Sequence, residues 1–193
     1  MENAADINRG GEAQNRLNNT VAVLVAIVAA FMAVTKVKDD NIVQAMLQAK
    51  SDAVDTWSEY QSKRIKQHVE ELGRDQAQLM RSAAPAQSAS QFDDQAKRYE
   101  SEIARYQKDE DDLQQKARGL EAQYDALNYR DDQFDLSDAA LSVALAMLAV
   151  TALTGKRWLL LASLLFTAFG VVMGLAGLLG LHLHPDWLSK LLS

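Results

Sequence analysis

The fold is decided by "FDDQAKRYESEIARYQKDEDDLQQKARGLEAQYDALNYRDDQF", Phe92 to Phe134. Its apolar residues recur at alternating steps of four and three: Phe92, Ala96, Tyr99, Ile103 and Tyr106, then Leu113, Ala117, Leu120, Tyr124, Leu127 and Phe134. This is the repeat of a coiled-coil helix, sustained for about six heptads with Glu110 and Asp131 as the only charged seam positions. The four adjacent carboxylates Asp109 to Asp112 therefore put one member into the seam and fan the others around a solvated face. They lack the ligand spacing and the glycine of a calcium loop.

A helix with one apolar stripe needs a partner, and the sequence supplies one upstream. "RSAAPAQSAS", Arg81 to Ser90, breaks helix at Pro85. Before it, Val43, Leu47, Val54, Trp57, Gln61, Ile65, Val69, Leu72, Gln76 and Leu79 form a second stripe. Three successive steps of four make a local stutter in it. Lys38–Arg81 and Gln91–Asp135 contain 44 and 45 residues, so at the helical rise both arms are about 66 to 68 Å long. Folding about Pro85 predicts an antiparallel pair whose partner numbers sum to about 170. That rule sets Val43 beside Leu127, Leu47 beside Tyr124, Trp57 beside Leu113, Ile65 beside Tyr106, Leu72 beside Tyr99 and Leu79 beside Phe92. It also pairs the polar interruptions Gln61 and Glu110, a single polar layer of the kind that fixes register.

Outside the arms the composition changes abruptly. Thr20–Val34 and Ala139–Leu181 contain only Lys156 and Arg157 as charged residues. A bilayer core of ~30 Å needs about 20 mostly apolar residues in a helix. Thr20–Val37 and Ala139–Thr154 approach that length, and Trp158–Leu181 reaches it. The first could instead be read as a cleaved signal peptide, but its n-region would carry Glu2, Asp6 and Glu12. A retained anchor is the expectation. The predicted architecture is an all-α integral membrane protein with three transmembrane helices and a long antiparallel coiled-coil hairpin between the first and second. In order, the chain divides into a polar tail (1–19), transmembrane helix 1 (20–37), a stalk (38–136) with its turn at 82–90, transmembrane helices 2 (137–154) and 3 (158–181), and an amphipathic tail (182–193).

The chain has no cysteine, and its net charge of −6 argues against general nucleic-acid binding. No glycine-rich phosphate loop, zinc-spaced His and Glu pair or serine elbow is present, so no catalytic residue, metal site or cofactor is expected. His182 and His184, beside Pro185 and Trp187, read as part of an interfacial tail. One charged cluster stands out. The pairing brings Asp39 and Asp40 level with Asp131 and Asp132, with Asp135 and Asp138 close by. Set against Lys36, Lys38 and Arg130, they leave about three negative charges per subunit, and in an oligomer they would form a cation-concentrating collar. In the third span Gly170, Gly174 and Gly177 permit close helix approach, within one chain or between copies. The short turn "GKR", with Lys156 and Arg157, favours a cytoplasmic turn and a stalk outside the cytoplasm.

At "NNTVAVLVAIVAAFMAVTKVKDDNIVQAM", "SDAVDTWSEYQSKRIKQH" and "DAALSVALAMLAVTALTGKRWLL", the chain resembles the bacterial family catalogued as domain of unknown function 4337, from about Asn18 to Gly180. The resemblance implies a multi-pass protein of the bacterial inner (cell) membrane and carries no activity or site. The order of one span, a helical hairpin and two spans also looks like the insertases of the Oxa1 superfamily, in layout alone. The expectation is a non-enzymatic, homo-oligomeric scaffold or stalked sensor in the lipid bilayer, whose stalk can take a helical protein partner. A cation-conducting oligomer and an insertion factor are the alternatives.

Overall fold

The computed structural model describes residues 4–85, 87–181 and 183, with side chains from residue 11 onward except at 13. Three helices account for nearly all of them: α1 (Ala4–Ala83), α2 (Ala89–Thr154) and α3 (Arg157–Leu179). No strand occurs among the described residues. All three helices are long and apolar enough to cross a membrane. α1 begins at Ala4, so the polar segment before the first apolar block is helical from there on. His182, His184, Pro185 and Trp187 lie outside the described residues.

Two units make up the chain: Met46–Asp125, and Met1–Ala45 together with Ala126–Ser193. In Met46–Asp125, α1 and α2 run antiparallel. Lys63 Nζ donates to Asp109 Oδ2 at 2.7 Å, Trp57 Nε1 donates to Glu121 Oε1 at 2.8 Å, and Arg81 pairs with Asp93. On α2 every expected seam position from Phe92 to Tyr124 is buried or half-buried, with Ala117 fully enclosed.

On α1 the outcome differs from the expectation. Leu47, Val54, Ile65, Val69, Leu72 and Leu79 are all exposed, and Gln61 and Gln76 with them. The face turned to α2 is instead built from Ala49, Ala53, Thr56, Gln67 and Ala77, with Tyr60, Lys63 and Gly73 half-buried between them. The three tyrosine contacts keep the levels of the pairing rule to within about four residues, whereas Trp57 reaches Glu121 rather than Leu113, and α1 is turned. Tyr99 meets Gly73 rather than Leu72, Tyr106 lies under Lys63 rather than Ile65, and Tyr124 lies under Lys50 rather than Leu47. The physical reason is volume. The tyrosines of α2 are large knobs, and they need small side chains or flexible lysine stems opposite them. A Cβ on Gly73 would lie 2.7 Å from the Tyr99 ring, so glycine is the hole that this knob fills.

The other unit packs three helices through small residues. A Cβ on Gly170 would meet Leu141 at 2.6 Å, one on Gly174 would meet Phe31 at 2.8 Å, and one on Gly177 would meet Phe134 at 2.9 Å. Ser137 Oγ, fully buried, donates to Gly170 O at 2.8 Å and joins α2 to α3. The outward surface of this unit is apolar, with Val23, Ile27, Val34, Val150, Leu153, Leu165 and Val172 among its exposed side chains. Gly155 and Gly180, both at φ +67°, make the turn after α2 and the end of α3, where a side chain would be strained.

Candidate functional site

The aspartates singled out from the sequence fall into two groups. Successive turns of α1 carry Lys36, Asp39 and Asp40, and the facing turns of α2 carry Asp131, Asp132 and Asp135. Asp39 is buried, and its Oδ2 accepts from Lys36 Nζ at 2.9 Å. Its other oxygen, Oδ1, is buried with no donor among the described residues. Burial, with the neighbouring Asp39 carboxyl and the charges of Asp135 and Asp132, pushes the Asp131 carboxyl up to about 6. Burial and the charge of Asp39 also raise Asp135. Asp40 lies exposed, 3.5 Å from Lys36, and Asp138 is exposed as well.

Asp39 and Asp131 therefore form a neighbouring carboxyl pair in which Asp131 keeps its proton to higher pH than a free aspartate does. Among the described residues no group of three or more His, Asp or Glu side chains is placed to hold a metal ion.

Beside this pair is a feature that sequence reasoning missed. Arg130 donates from Nε and Nη2 to Gly177 O at 3.2 and 2.9 Å. Gln133, whose side chain is buried, donates from Nε2 to Leu181 O and Leu183 O at 2.7 Å each. Two side chains of α2 thus satisfy carbonyls at and beyond the end of α3, where helical partners run out. The Arg130 guanidinium also sits at the negative end of the α3 dipole. Polar residues reaching for backbone leave no periodic signature, so nothing in the sequence marks them.

The remaining expected residues are placed as follows. Gly170, Gly174 and Gly177 all pack inside one chain, against α1 and α2. Gln61 and Glu110 form no layer, because Gln61 is exposed; Glu110 keeps a buried Oε1 without a partner among the described residues, and the polar crossing nearby is Lys63–Asp109. The Lys63 ammonium holds Asp109 below the usual carboxylate range. Trp57 is half-buried and bonded to Glu121, and Leu113 is half-buried on α2. Lys156 and Arg157 are exposed at the start of α3, and Arg157 lines an open groove of about 580 Å³ with Glu12, Arg16, Leu17, Thr20, Leu160 and Leu161.

A family model described as Domain of unknown function (DUF4337) matches residues 17–180, which takes in both units. The chain belongs to this family. No curated protein and no solved structure matches it. Membership in DUF4337 thus covers α2, α3 and most of α1, including the carboxyl pair and the Arg130–Gly177 contact, and assigns no chemistry to either.

Proposed function

We propose that this DUF4337 protein is a non-enzymatic, oligomeric scaffold of the bacterial inner membrane, anchored by three spans and working through its long helix pair as a coiled-coil stalk. The observation that carries this reading is the surface of Met46–Asp125. It is a two-helix unit with an uncovered apolar face on α1, a surface suited to holding another helix rather than to enclosing a small molecule. The outward apolar side chains of the other unit support insertion in a bilayer. The short turn bearing Lys156 and Arg157 favours a stalk outside the cytoplasm.

The channel alternative has weaker support. Its collar requires free carboxylates, whereas Asp39 is buried against Lys36 and Asp131 is pushed toward its neutral form. The insertase alternative rests on layout alone.

The test is the mass and conductance of the purified full chain. We expect more than one copy per nanodisc, and liposomes that stay tight to cations with or without Asn at Asp39, Asp40, Asp131 and Asp132. A single copy per disc at every loading ratio contradicts the oligomeric scaffold. Cation flux that falls with those substitutions transfers the assignment to the channel.

A further inference from the structure

The six exposed apolar residues of α1 form a connected track. Leu47 and Val54 are one heptad apart, Ile65, Val69 and Leu72 follow at steps of four and three, and Leu79 lies one heptad further on. Each is between 59 and 72 % exposed. In Met46–Asp125 the large exposed apolar side chains among the described residues are these six and Met80, so all belong to α1 and none to α2.

At on the order of 100 Å² of exposed apolar surface per side chain, the track offers about 600 Å². That is large for a monomer surface and approaches the ~800 Å² per partner of a stable interface. Its flanks, with Lys50, Asp55, Arg64, Lys66 and Asp75, carry both signs of charge, which suits a polar-rimmed protein contact better than a lipid surface.

We propose that the occupant of this track is a second copy of the same chain, α1 lying parallel and in register against α1. The inference rests on the oligomeric scaffold reading and names its contact. Three features select the second copy. Steps of seven, and of four and three, are the spacing with which one helix packs along another. In a parallel two-fold pair each track residue meets its own equivalent, so Leu47, Val54, Ile65, Val69, Leu72 and Leu79 all find apolar partners without any further sequence requirement. Copies inserted in one bilayer in one orientation also present α1 in the same chain sense, because the first apolar span lies on α1 itself.

The natural absence of cysteine makes the test clean. Single variants Leu47→Cys, Leu72→Cys and Leu79→Cys of the full chain, in native-like bilayers, are expected to form disulfide dimers under mild oxidation. Asp112→Cys, on the exposed side of α2, is expected to stay monomeric on the gel. Adding Ile65→Glu and Val69→Glu to the Leu47→Cys protein should lower its dimer yield by about tenfold or more, while the helical circular dichroism is unchanged.

If nanodiscs hold several copies but the track cysteines do not crosslink, this inference is overturned and the scaffold survives. One copy per disc removes both. Crosslinking of Leu47→Cys with Leu79→Cys in a mixed sample, with neither variant crosslinking to itself, overturns the parallel arrangement in favour of an antiparallel one.

Discussion

Within Met46–Asp125 the two helices use their faces in opposite ways. On α2 the large residues point inward and, Asp109 and Glu110 apart, most charged ones outward, so its buried face is mainly its apolar face. On α1 the small and polar residues point inward and the large aliphatic ones outward. The difference teaches that a seam is chosen by fit as well as by hydrophobicity. Burying Leu72 or Ile65 would gain about 1.5 to 3 kcal/mol each by transfer. Against a row of tyrosines, however, they would hold the helices apart and forfeit contacts along the whole interface. The aliphatic gain remains available to a second helix on the other side.

The sharpest way to break this comparison is to charge the shared seam. Ala117 is fully buried, so Ala117→Glu should destabilise the chain by about 3 to 5 kcal/mol, read as a large drop in the thermal midpoint of the helical signal. A small effect would mean that α2 is not held against α1. Next comes Gly174→Ala, whose Cβ would lie 2.8 Å from both Phe31 and Ser137 Oγ. It should cost about 1 to 3 kcal/mol by overpacking in the same assay. Gly73→Ala should cost less, about 1 kcal/mol, because the crowding atoms belong to the far side of the Tyr99 ring, which can swing away. A cost for Gly73→Ala above that of Gly174→Ala would show that the Tyr99 knob is as rigidly held as the three-helix packing.

A smaller effect concerns pH. Folding raises Asp131 from 3.8 to about 6, so the folded chain holds this proton more tightly than the unfolded one. Stability from this group is therefore full below about pH 4, is lost as pH rises toward 6, and is flat above. With part of the group open to solvent, screening reduces the change to on the order of 1 kcal/mol. Asp131→Asn should flatten the melting midpoint across that window; an unchanged slope would place the titration elsewhere. Smallest of all is Leu72→Gln, expected to change the stability of the isolated monomer in dilute detergent by less than about 0.5 kcal/mol. A loss above ~2 kcal/mol would mean that α1 turns Leu72 inward after all.

How far the sequence could be read follows the same division. The α2 seam was legible because its members are large and evenly spaced, and the three helices long and apolar enough to cross a membrane because their apolar runs are long and uncharged. The inward face of α1 was not. Ala49, Ala53, Thr56, Gly73 and Ala77 carry little hydropathy, and only the tyrosines opposite give them meaning as holes. The aspartate cluster was legible as a juxtaposition of Asp39 with Asp131, but its chemistry was not, since the raised Asp131 carboxyl depends on burial that residue types do not specify. The roles of Arg130 and Gln133 were hidden for another reason, since their partners are backbone carbonyls that every residue possesses.

Those two side chains have a further consequence for how the protein would sit in a lipid layer. Carbonyls of Gly177, Leu181 and Leu183 are gathered at one end of α3 by a guanidinium and an amide, neither of which hydrocarbon can solvate. In a bilayer they would act as a waterline. From Arg157 to Leu179 the helix covers about 34 Å, slightly more than a typical hydrocarbon core. A thicker membrane would have to thin around the Arg130 end, and a thinner one would have to tilt α3, since the waterline is fixed by bonds to α2 and cannot slide along the span.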